Sequence, residues 1–516
     1  MPTMNFGRLV DQQRIRRGHK PALISEDGDV WTYERLADAT HATAVYLAEQ
    51  GIGKGDRVVL MGMNSPDYVC AVLAVYRLGA VAVPLNYRLQ VEEVDFLVRD
   101  SGAVAVLADA GHVAVLNPIC DAVDITTRLV ITPDPAAPSS WVDLRQVMRD
   151  HSGQAAPLCA VSFEDPQRIM YTSGTTNRPK GVVITHGMAF LNVLAQTTEL
   201  ELTSSETALV SSPLYHVAAW DSPGVGVLFN GGTLVIMRKF DAPLALRLIE
   251  EHRVTGGIFV QAILHGLRAA SDGSRDLSSL RWIIFGAAAG ELYREVHQML
   301  PGTRLVQAYG MTEACSVIAY IDAAHAESKR GSVGTAVPFV EYRVVDPREN
   351  DAPPGVAGEV VIRGPKVTPG YWNDDSLTTE AWRGGWFHTG DIGVMDEDGF
   401  LYITDRLKDM IRSGGENVAS QEIERIIYTH PLVSEVAVVG IPDPRWQEVP
   451  RAYIVLKPGA ALTEEEVISH CREHLASFKT PKSVVFIEEL PRNPSGKVLK
   501  RVLREQVANE NPPVTV

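Results

Sequence analysis

Patterns typical of helices and strands alternate along the first half of this chain, and this alternation restricts the possible folds more than any other feature. An amphipathic helical pattern covers residues 33–50 and ends at Gly51. An apolar run with the length of a buried strand follows at residues 57–61, and similar runs lie at residues 80–84, 104–108, 128–132, 233–237 and 282–285. The alternation predicts a layered α/β fold with largely parallel sheets.

The second half of the chain departs from this pattern. Between residues 341 and 363 the apolar runs shorten and Pro/Gly turns separate them, which predicts a smaller antiparallel β portion. After Asp405, helical patterns at residues 420–429 and 464–475 alternate with strand patterns at residues 436–439, 452–456 and 483–487, which predicts a compact α+β unit of about a hundred residues. Because 516 residues exceed the size at which one core usually keeps growing, we expect at least two domains.

Composition and charge exclude several classes of partner. Hydrophobic residues make up 45% of the chain and charged residues 22%, as in an ordinary soluble globular protein. The net charge of −15 argues against a nucleic-acid partner, which would need a basic surface. No apolar run reaches the ~20 residues that span a membrane, and residues 1–18 lack the apolar core of a secretory signal. We therefore expect no integral membrane segment.

Five cysteines lie far apart in the sequence: Cys70, Cys120, Cys159, Cys315 and Cys471. Their odd number and the absence of a CxxC pair indicate neither a disulfide framework nor a zinc site. We therefore expect a reduced, cytoplasmic protein. Cys315 closely follows a polar motif at residues 309–313, so it either lines a site or is a buried thiol, and the second alternative is favoured.

The stretch at residues 171–181 (YTSGTTNRPKG) places hydroxyl side chains, a glycine and a lysine in one loop between two apolar segments. Such a loop suits a polyphosphate. Backbone N–H groups and hydroxyls donate hydrogen bonds, Gly174 allows close approach of the backbone, and Lys180 adds a positive charge. The spacing differs from that of the G-x-x-x-x-G-K-[ST] loop. Taken alone, the loop leaves a solvated Ser/Thr turn as the alternative.

Four further motifs follow this loop, at residues 307–313 (QAYGMTE), 385–391 (GWFHTGD), 404–417 (TDRLKDMIRSGGEN) and 491–497 (PRNPSGK). Together with the loop, they resemble in kind and order the signature motifs of the adenylate-forming enzymes. That superfamily includes acyl-CoA synthetases, peptide-synthetase adenylation domains and luciferases. The chain most resembles its fatty-acid and aryl acid–CoA ligases.

The resemblance implies an architecture and a reaction. Residues 1–405 would form a large N-terminal domain of layered α/β subdomains with the smaller antiparallel β portion. Residues 406–516 would form a mobile α+β C-terminal lid, and Lys408 occupies the family's hinge position. The implied reaction activates a carboxylic acid with ATP as an acyl-adenylate, releases pyrophosphate, and then transfers the acyl group to the thiol of coenzyme A.

The resemblance also implies the catalytic residues. Lys497 would reach from the lid to bridge the carboxylate and the α-phosphate, Glu313 matches the magnesium-linked glutamate, and Thr312 would donate to the α-phosphate. Lys180 would supply the charge of the phosphate loop. A hard oxygen ligand such as the Glu313 carboxylate suits Mg²⁺. ATP, Mg²⁺ and CoA are therefore the expected cofactors and co-substrates.

Other residues match the family's ATP- and AMP-binding positions. Asp391 would accept hydrogen bonds from the ribose hydroxyls, and Arg406 would contact the same region. Tyr309 would present a flat face to the adenine, opposite a wall at residues 286–288. The expected nucleotide set is Thr172, Ser173, Gly174, Thr175, Thr176, Gly286, Ala287, Ala288, Tyr309, Gly310, Asp391 and Arg406.

The CoA half of the reaction has fewer matching residues. Gly414 and Gly415 resemble the turn that lines the family's pantetheine tunnel, where glycines let a thin chain pass close to the backbone. Trp446 matches a tryptophan that stacks on the CoA adenine in some aryl-CoA ligases. Lys482 is placed to hold a CoA phosphate, and a basic turn that caps the lid explains it equally well.

Two positions depart from the family pattern, because Asn177 and Gln447 stand where glycine is usual. Asparagine tolerates positive φ better than most residues, so the phosphate loop can keep its turn. A bulky side chain at Gln447 would crowd the lid face that meets the thiol, which puts CoA transfer in doubt.

The predicted acyl pocket is unusual for a fatty-acid ligase. His216 is the candidate for the family's gate residue, and Trp220 and Asp221 stand where apolar residues usually follow. An unpaired carboxylate in an apolar tunnel is costly, so Asp221 needs a partner, either a protein donor or an amine or hydroxyl of the substrate. Trp220 would shorten a tunnel for a long chain. The pocket therefore favours a small, aromatic or polar acid over a long-chain fatty acid.

Because of Gln447 and Asp221, acceptors of the activated group other than CoA stay open. In these alternatives the enzyme would load a carrier-protein thiol or an amine, or activate nitrite and transfer it to an arylamine. A non-enzymatic relative would have lost the catalytic lysine, and Lys497 is present. Homodimers are common among relatives, and the resemblance implies one by analogy.

Overall fold

The computed structural model of the protein describes residues 4–132, 137–172, 179–286, 290–322, 324–407, 409–413, 416–443, 445–477, 479–492 and 498–510. The chain packs as two compact units. The first comprises residues 1–288, 294–341 and 362–387, and the second comprises residues 289–293, 342–361 and 388–516. The domain boundary predicted at residue 405 stays a prediction, as does the hinge role of Lys408, which lies outside the described residues.

The helices are α1 (Leu9–Arg17), α2 (Tyr33–Glu49), α3 (Pro66–Arg77), α4 (Val91–Ser101), α5 (Ala110–Ala122), α6 (Leu144–Asp150), α7 (His186–Glu199), α8 (Val217–Ala219), α9 (Val225–Asn230), α10 (Ala242–Glu251), α11 (Gln261–Ala270), α12 (Gly290–Met299), α13 (Asp375–Ala381), α14 (Ser420–Tyr428), α15 (Glu464–His474) and α16 (Lys500–Glu510). Short 3₁₀ turns occupy Phe6–Arg8 and Thr312–Ala314, and a π-type turn occupies Trp220–Gly224. Among the described residues, no helix is long and apolar enough to cross a membrane.

The strands are β1 (Pro21–Ser25), β2 (Val30–Thr32), β3 (Arg57–Met61), β4 (Val81–Pro84), β5 (Ala105–Ala108), β6 (Thr127–Val130), β7 (Val142–Asp143), β8 (Pro166–Thr172), β9 (Lys180–Thr185), β10 (Thr207–Val210), β11 (Thr233–Ile236), β12 (Gly256–Ile258), β13 (Trp282–Phe285), β14 (Arg304–Met311), β15 (Ser316–Tyr320), β16 (Thr335–Ala336), β17 (Glu341–Val345), β18 (Gly358–Arg363), β19 (Trp382–Arg383), β20 (Trp386–Met395), β21 (Leu401–Arg406), β22 (Ile411–Ser413), β23 (Glu416–Val418), β24 (Val433–Asp443), β25 (Gln447–Leu456) and β26 (Ser483–Phe486).

A sheet of seven strands, in the order β7-β6-β5-β3-β4-β8-β9, belongs to the first unit. Neighbouring strands from β7 to β8 run parallel, whereas β9 runs antiparallel to β8. β3 and β5 are buried along nearly their whole length, as is usual for parallel strands that are covered on both faces. The largely parallel α/β layers predicted from the alternating pattern are thus confirmed.

A second sheet of the first unit has the order β16-β15-β14-β13-β12-β10-β11-β1-β2. Its central strands, from β14 to β1, are parallel, and β2, β15 and β16 are antiparallel to their neighbours. Residue 286 directly follows β13, and residues 308–311 form the carboxyl-terminal end of β14. The topology therefore brings two of the predicted nucleotide motifs to one edge of this sheet, where ligands usually bind in parallel α/β folds.

Strands later in the chain form two smaller sheets. One has the order β17-β18-β20-β19 with β21 beside β20, and the other has the order β23-β22-β25-β24 with β26 beside β25. In the sheet that contains β17 and β18, the pairings β19–β20 and β20–β21 are antiparallel, which confirms the predicted antiparallel portion; β24 and β25 of the other sheet are also antiparallel. β24 and β25 are longer than the predicted strands at residues 436–439 and 452–456, because their polar ends pair through the backbone without an apolar signal in the sequence.

Helix α3 forms part of the core of the first unit, and all its residues are buried. Its amino terminus is capped by the Ser65 hydroxyl, which accepts a hydrogen bond from the Tyr68 backbone N–H. Pro66 occupies the first turn, where no backbone donor is needed. Its one acidic side chain, Asp67, is neutralised by Arg145 at 2.9 Å. The helix thereby carries Tyr68 and Tyr76 into the interior beside the predicted acyl pocket.

Asn64, which precedes α3, anchors the loop that holds the predicted acyl gate. Its side-chain Nδ2 donates to the carbonyls of Ser212 and Met237, each at 3.0 Å, and its Oδ1 accepts from the Leu214 N–H at 2.8 Å. Asn64 is buried, with 5% of its surface exposed. One amide thus satisfies three backbone groups that follow the carboxyl ends of β10 and β11.

We predict that Asn64→Leu lowers the free energy of unfolding by about 2–4 kcal/mol, because it leaves buried backbone groups without partners. Urea denaturation followed by tryptophan fluorescence measures the change. Gln146→Leu is the matched control, since this exposed amide on α6 bonds within its own helix, to Asp150. Its effect should stay within roughly 0.5 kcal/mol. Equal destabilisation by the two variants would contradict the anchoring role of Asn64.

Candidate active site

The predicted phosphate loop connects the two strands of an antiparallel hairpin. Thr172 at the end of β8 pairs with Lys180 at the start of β9, so both ends of the loop are fixed by the sheet. Ser173, Gly174, Thr175 and Thr176 lie outside the described residues, as does Asn177. The Thr172 Oγ1 is buried and has no hydrogen-bond partner among the described residues. A buried hydroxyl without a partner is suited to bind a ligand.

Lys180, Glu313 and Tyr371 form a three-membered polar cluster. The Lys180 Nζ donates to Glu313 Oε1 at 2.9 Å and to the Tyr371 hydroxyl at 2.7 Å, and that hydroxyl donates to the same Oε1 at 3.0 Å. Burial, and after it the Glu313 carboxylate, raises the pKa of Tyr371 above its ordinary value, so its hydroxyl remains a neutral donor. The structure therefore brings together two of the predicted catalytic residues and adds Tyr371.

The Glu313 carboxylate retains coordinating capacity. The contacts that the structure gives for it, to Lys180 and to Tyr371, involve Oε1. Among the described residues, no group of three or more His, Cys, Asp or Glu side chains is arranged to hold a metal. Mg²⁺ usually keeps several waters and uses one or two carboxylates together with substrate phosphates, so a single carboxylate such as that of Glu313 fits this ion without further protein ligands.

A tight turn at residues 312–316 holds Thr312 and Glu313 at the end of β14. Both residues are buried, and Cys315 and Ser316 have φ angles of 50° and 87°, in the left-handed region that favours glycine. A Cβ added at Gly310 would lie 1.8 Å from the Ser316 carbonyl oxygen, so glycine is required there by the close approach of β15. Predicted site residues are therefore fixed by a strained and closely packed turn.

The predicted adenine residues lie on adjacent strands. Tyr309 lies on β14 and is partly exposed, and Gly286 directly follows β13. In the parallel register of these strands Phe285 is opposite Gln307, so the two positions are near each other at one edge of the sheet. Ala287 and Ala288 lie outside the described residues.

In the second unit, the two predicted ribose-side residues face each other across an antiparallel pair of strands. Asp391 on β20 is directly opposite Arg406 on β21. The Arg406 Nε lies 3.0 Å from Asp391 Oδ1, and the Asp391 carboxylate is buried whereas Arg406 is partly exposed. The ion pair fixes the orientation of the acidic side chain.

The residues of the predicted acyl pocket differ in burial. His216 is exposed, and its Nδ1 accepts from the Ala218 N–H at 3.1 Å, which caps the short helix α8. Trp220 is buried, and its ring meets that of Tyr76 edge-on with centroids 6.3 Å apart. Asp221 is fully buried. Of the two kinds of partner that the sequence leaves open for Asp221, the structure provides a protein donor, Arg168.

Arg168 and Asp221 form an ion pair in the interior of the first unit. Arg168 Nη2 donates to Asp221 Oδ1 at 2.5 Å, and both side chains are almost completely buried. Burial raises the pKa of Asp221, although Arg168 opposes this effect. The Asp221 carbonyl accepts from the side-chain amide of Asn192 at 3.0 Å. The charges are therefore paired, but Arg168 Nε and Asp221 Oδ2 have no hydrogen-bond partner among the described residues.

Cys315 is buried beside this ion pair, as favoured from its sequence environment. Its Sγ lies 3.5 Å from Arg168 Nη2 and 3.7 Å from Asp221 Oδ1. Burial raises its pKa to about 12, so the side chain is a neutral thiol. None of the five cysteines forms a disulfide.

The predicted CoA residues are only partly described. Gly414 and Gly415 lie outside the described residues, as does the catalytic candidate Lys497. Trp446 is 41% exposed and has Arg445 over its ring, with the guanidinium carbon 4.6 Å from the centroid. Lys482 is exposed, and its Nζ donates to the Ser477 carbonyl at 3.3 Å. Gln447 has a φ of 70°, which explains why glycine would suit this position.

Sequence reasoning missed two side chains of the site in the first unit. Tyr371 lies in a Pro-Gly-Tyr-Trp segment whose backbone pairs with β9, and the Trp372 N–H donates to the Gly181 carbonyl at 2.7 Å. A tyrosine between a glycine and a tryptophan gives no local signal of a polar role. Arg168 had a usable signal, because it stands in β8 directly before the apolar residues Ile169 and Met170, and a charged residue in a buried strand needs a partner.

Comparison with known proteins adds independent information. The model of the AMP-binding enzyme family matches residues 10–372, and that of the AMP-binding enzyme C-terminal domain matches residues 422–497. The chain is 37% identical to the feruloyl-CoA synthase of Amycolatopsis sp over 495 residues, which cover 96% of this chain and 97% of that protein. It is also 37% identical to the long-chain-fatty-acid–CoA ligase FadD13 of Mycobacterium tuberculosis over 515 residues, with coverage of 97% and 98%. The crystal structure of ATP-bound MatB from Rhodopseudomonas palustris matches with a TM-score of 0.89 at 30% identity, covering 98% of this chain and 99% of that one.

We predict that Asp221→Leu destabilises the protein by about 3–5 kcal/mol, because it leaves the Arg168 guanidinium buried without a counter-charge. The double variant Arg168→Met/Asp221→Leu should regain most of this loss, since it removes both charges and keeps the volume. Chemical denaturation of both variants and of Arg168→Met completes the cycle. A double variant no more stable than Asp221→Leu would show that the ion pair is not the source of the effect.

Proposed function

The chain belongs to the family of AMP-binding enzymes and is an ATP-dependent, AMP-forming acid–CoA ligase, and we propose that the acid it activates is small and aromatic or polar. The buried Arg168–Asp221 pair beside Trp220 carries this proposal. The same proposal assigns roles to the residues of the Lys180–Glu313–Tyr371 cluster and to the sequence motifs.

The reaction requires positive charge at one place. A carboxylate is a poor acyl donor until its oxygen attacks the α-phosphorus of ATP, which forms the acyl-adenylate and expels pyrophosphate. AMP then leaves readily when the CoA thiol attacks the acyl carbon. Because the first step brings two anions together, fixed cations and oriented donors lower its barrier more than any other contribution.

Lys180 and Thr312 would supply such groups from the first unit. The Lys180 side chain is 26% exposed at the end of the phosphate loop, so its Nζ can exchange its contact with Glu313 for a phosphate oxygen. Thr312 begins the turn at the end of β14 and would donate its hydroxyl to the α-phosphate. Tyr371 holds both Lys180 and Glu313 and would act by orienting them. Lys497, by resemblance to the family, would bridge the acid carboxylate and the α-phosphate.

Glu313 would hold Mg²⁺ together with the phosphates of the nucleotide. When bound, the metal neutralises phosphate charge. The carboxylate of Glu313 is fixed for this task by Lys180, by Tyr371 and by its own backbone, whose carbonyl accepts from the Thr368 N–H at 2.7 Å.

The remaining predicted residues keep the roles that the family resemblance implies. Tyr309, Gly310 and the segment that begins at Gly286 would bind adenine, and Asp391 with Arg406 would bind the ribose. Thr172 and the loop that follows it would bind phosphates. Gly414, Gly415, Trp446 and Lys482 would contact CoA. A homodimer remains part of this proposal only by analogy with relatives.

The acid class is inferred from the residues around a small cavity of about 10 Å³ in the first unit, which include Tyr68, Tyr76, Arg168, Leu214 and Trp220. The Tyr68 hydroxyl and Arg168 Nε are buried and have no hydrogen-bond partner among the described residues. An acid with a hydroxyl or amine at its far end could satisfy these groups. An alkyl chain could not, because it has no donor or acceptor and it displaces the water that would otherwise hydrogen-bond to these groups.

We predict that ferulate gives a kcat/KM on the order of 10²-fold above that of palmitate, in an assay that couples pyrophosphate release to thioester formation. A polar terminus distinguishes ferulate at the cavity, whereas palmitate presents only methylenes. The Arg168→Met/Asp221→Leu variant should lose most of this preference. A preference for palmitate, or an unchanged ratio in the double variant, would contradict the proposed acid class. Pyrophosphate release with no thioester would instead indicate an acceptor other than CoA.

We predict that Lys497→Ala slows adenylation by a factor of ~10²–10³, because one charge at the reacting phosphate is lost. CoA should still thiolyse supplied feruloyl-adenylate, because this step breaks the bond between the acyl carbon and the AMP oxygen and leaves the bonds to phosphorus intact. Single-turnover assays of each half-reaction measure the two rates. Lys457→Ala, at an exposed lysine of the second unit, is the control and should change neither rate. Equal loss of both half-reactions would contradict the role assigned to Lys497.

A further inference from the structure

The segment at residues 366–371 forms hydrogen bonds to the turn that contains Glu313. Its Thr368 N–H donates to the Glu313 carbonyl at 2.7 Å, and its Tyr371 hydroxyl donates to the Glu313 carboxylate at 3.0 Å. Lys366 begins the segment and reaches the far side of the same turn. Three residues of one short stretch thus contact the backbone or side chain of residues 313–317.

Lys366 is fully buried, and its ammonium group is surrounded by oxygen atoms. Nζ donates to the Ala314 carbonyl at 2.9 Å, to the Val317 carbonyl at 2.6 Å and to Asn192 Oδ1 at 2.8 Å. An ammonium ion has three donors, and here each meets an acceptor. A neutral amine has two donors and a lone pair, so it would leave one oxygen unsatisfied or facing that lone pair.

The two carbonyls that Lys366 holds bracket the strained part of the turn. Ala314 and Val317 enclose Cys315 and Ser316, both of which have positive φ angles. Residues other than glycine adopt such angles only where surrounding contacts enforce them. Lys366 supplies two of these contacts, and the packed approach of Ser316 to Gly310 supplies another.

We propose that Lys366 is a positioning residue for adenylation: its ammonium ion holds the turn at residues 313–317 in the strained conformation that orients the Glu313 carboxylate. It acts through the turn and touches neither Glu313 Oε1 nor Lys180 in the structure. This inference rests on the proposed role of Glu313 in the ATP site. It assigns a function to a lysine that composition and motif spacing leave unnoticed.

The surroundings of Lys366 make its charge sensitive to pH. The Cys315 thiol of the turn and the Asp221 carboxylate of the π-type turn lie near it, and Asp221 is itself paired with Arg168 of β8. α7 contributes the uncharged Asn192. Burial lowers the pKa of Lys366 to about 8, and the Asp221 carboxylate acts in the opposite sense. The ammonium form therefore predominates at pH 7 and is lost as the pH rises through about 8.

The first test compares Lys366→Met with wild type in pyrophosphate release with ferulate as the acid. Methionine keeps the volume and removes every donor, and we expect kcat to fall roughly 10–100-fold as the site loses alignment. The wild-type rate should also decline as the pH rises through about 8, and this alkaline limb should be absent from the variant, whose side chain does not titrate. An alkaline limb that is the same in both proteins would overturn the proposal.

Lys20→Met is the matched control. Lys20 is a partly buried lysine of the same unit whose Nζ donates to the carbonyls of Ser204 and Gly231. Its replacement likewise strands two carbonyl oxygens, but it contacts no part of the 313–317 turn. We expect Lys20→Met to keep the wild-type kcat and the alkaline limb. Should Lys366→Met fail to fold, Lys366→Gln, which keeps an amide donor without the charge, carries the same pH test.

A second measurement needs no activity. Hydrogen exchange of a peptide that covers residues 312–320 should be faster in Lys366→Met than in wild type at pH 7, and unchanged in Lys20→Met. Equal exchange in wild type and Lys366→Met would overturn the proposed hold on the turn. If no acid supports pyrophosphate release in wild type, the proposed function fails while the exchange result still decides whether Lys366 fixes this turn.

Discussion

The Glu313 carboxylate links segments of the first unit that lie far apart in the sequence. Lys180 reaches it from the end of the phosphate loop, and Tyr371 reaches it from a segment that pairs with β9. Each charge compensates the other, so neither is left unpaired in a partly dry site before a ligand binds. When a nucleotide binds, one of its phosphate oxygens can take the place of the Glu313 carboxylate as a partner of Lys180. The charges of the empty site are thus paired, and the Lys180 ammonium group can still bind a phosphate.

The resemblance of the motifs, together with alternation of apolar runs, was sufficient to predict the α/β class, the parallel layers and the antiparallel portion. These features depend on local patterns. β3 and α3 are recognisable because nearly all their residues are apolar and buried. The hairpin of β24 and β25 shows the limit of this approach, since its polar outer ends are held by backbone pairing that side-chain patterns do not reveal.

The contacts between sequence-distant side chains could not be predicted. Arg168 and Asp221 are 53 positions apart, and Lys366 and Asn192 are 174 positions apart. Burial demands a partner for Asp221 on physical grounds, but it does not say which of the available arginines supplies it. Tyr371 gave no signal at all, because a tyrosine between small and aromatic residues is equally typical of a packed core. Only the folded chain selects among such possibilities.

Two buried cations of the first unit are stabilised in different ways, and the difference affects their chemistry. Arg168 faces a carboxylate and is a guanidinium, which does not lose its proton in proteins, so its charge is constant over the working range of pH. Lys366 donates its three hydrogen bonds to neutral oxygens, and the Asp221 carboxylate only partly offsets the effect of burial on its pKa. Neutral acceptors compensate the free-energy cost of burying a charge less fully than a counter-charge does. The first cation is therefore suited to shape a pocket permanently, whereas the second couples the conformation of the Glu313 turn to pH.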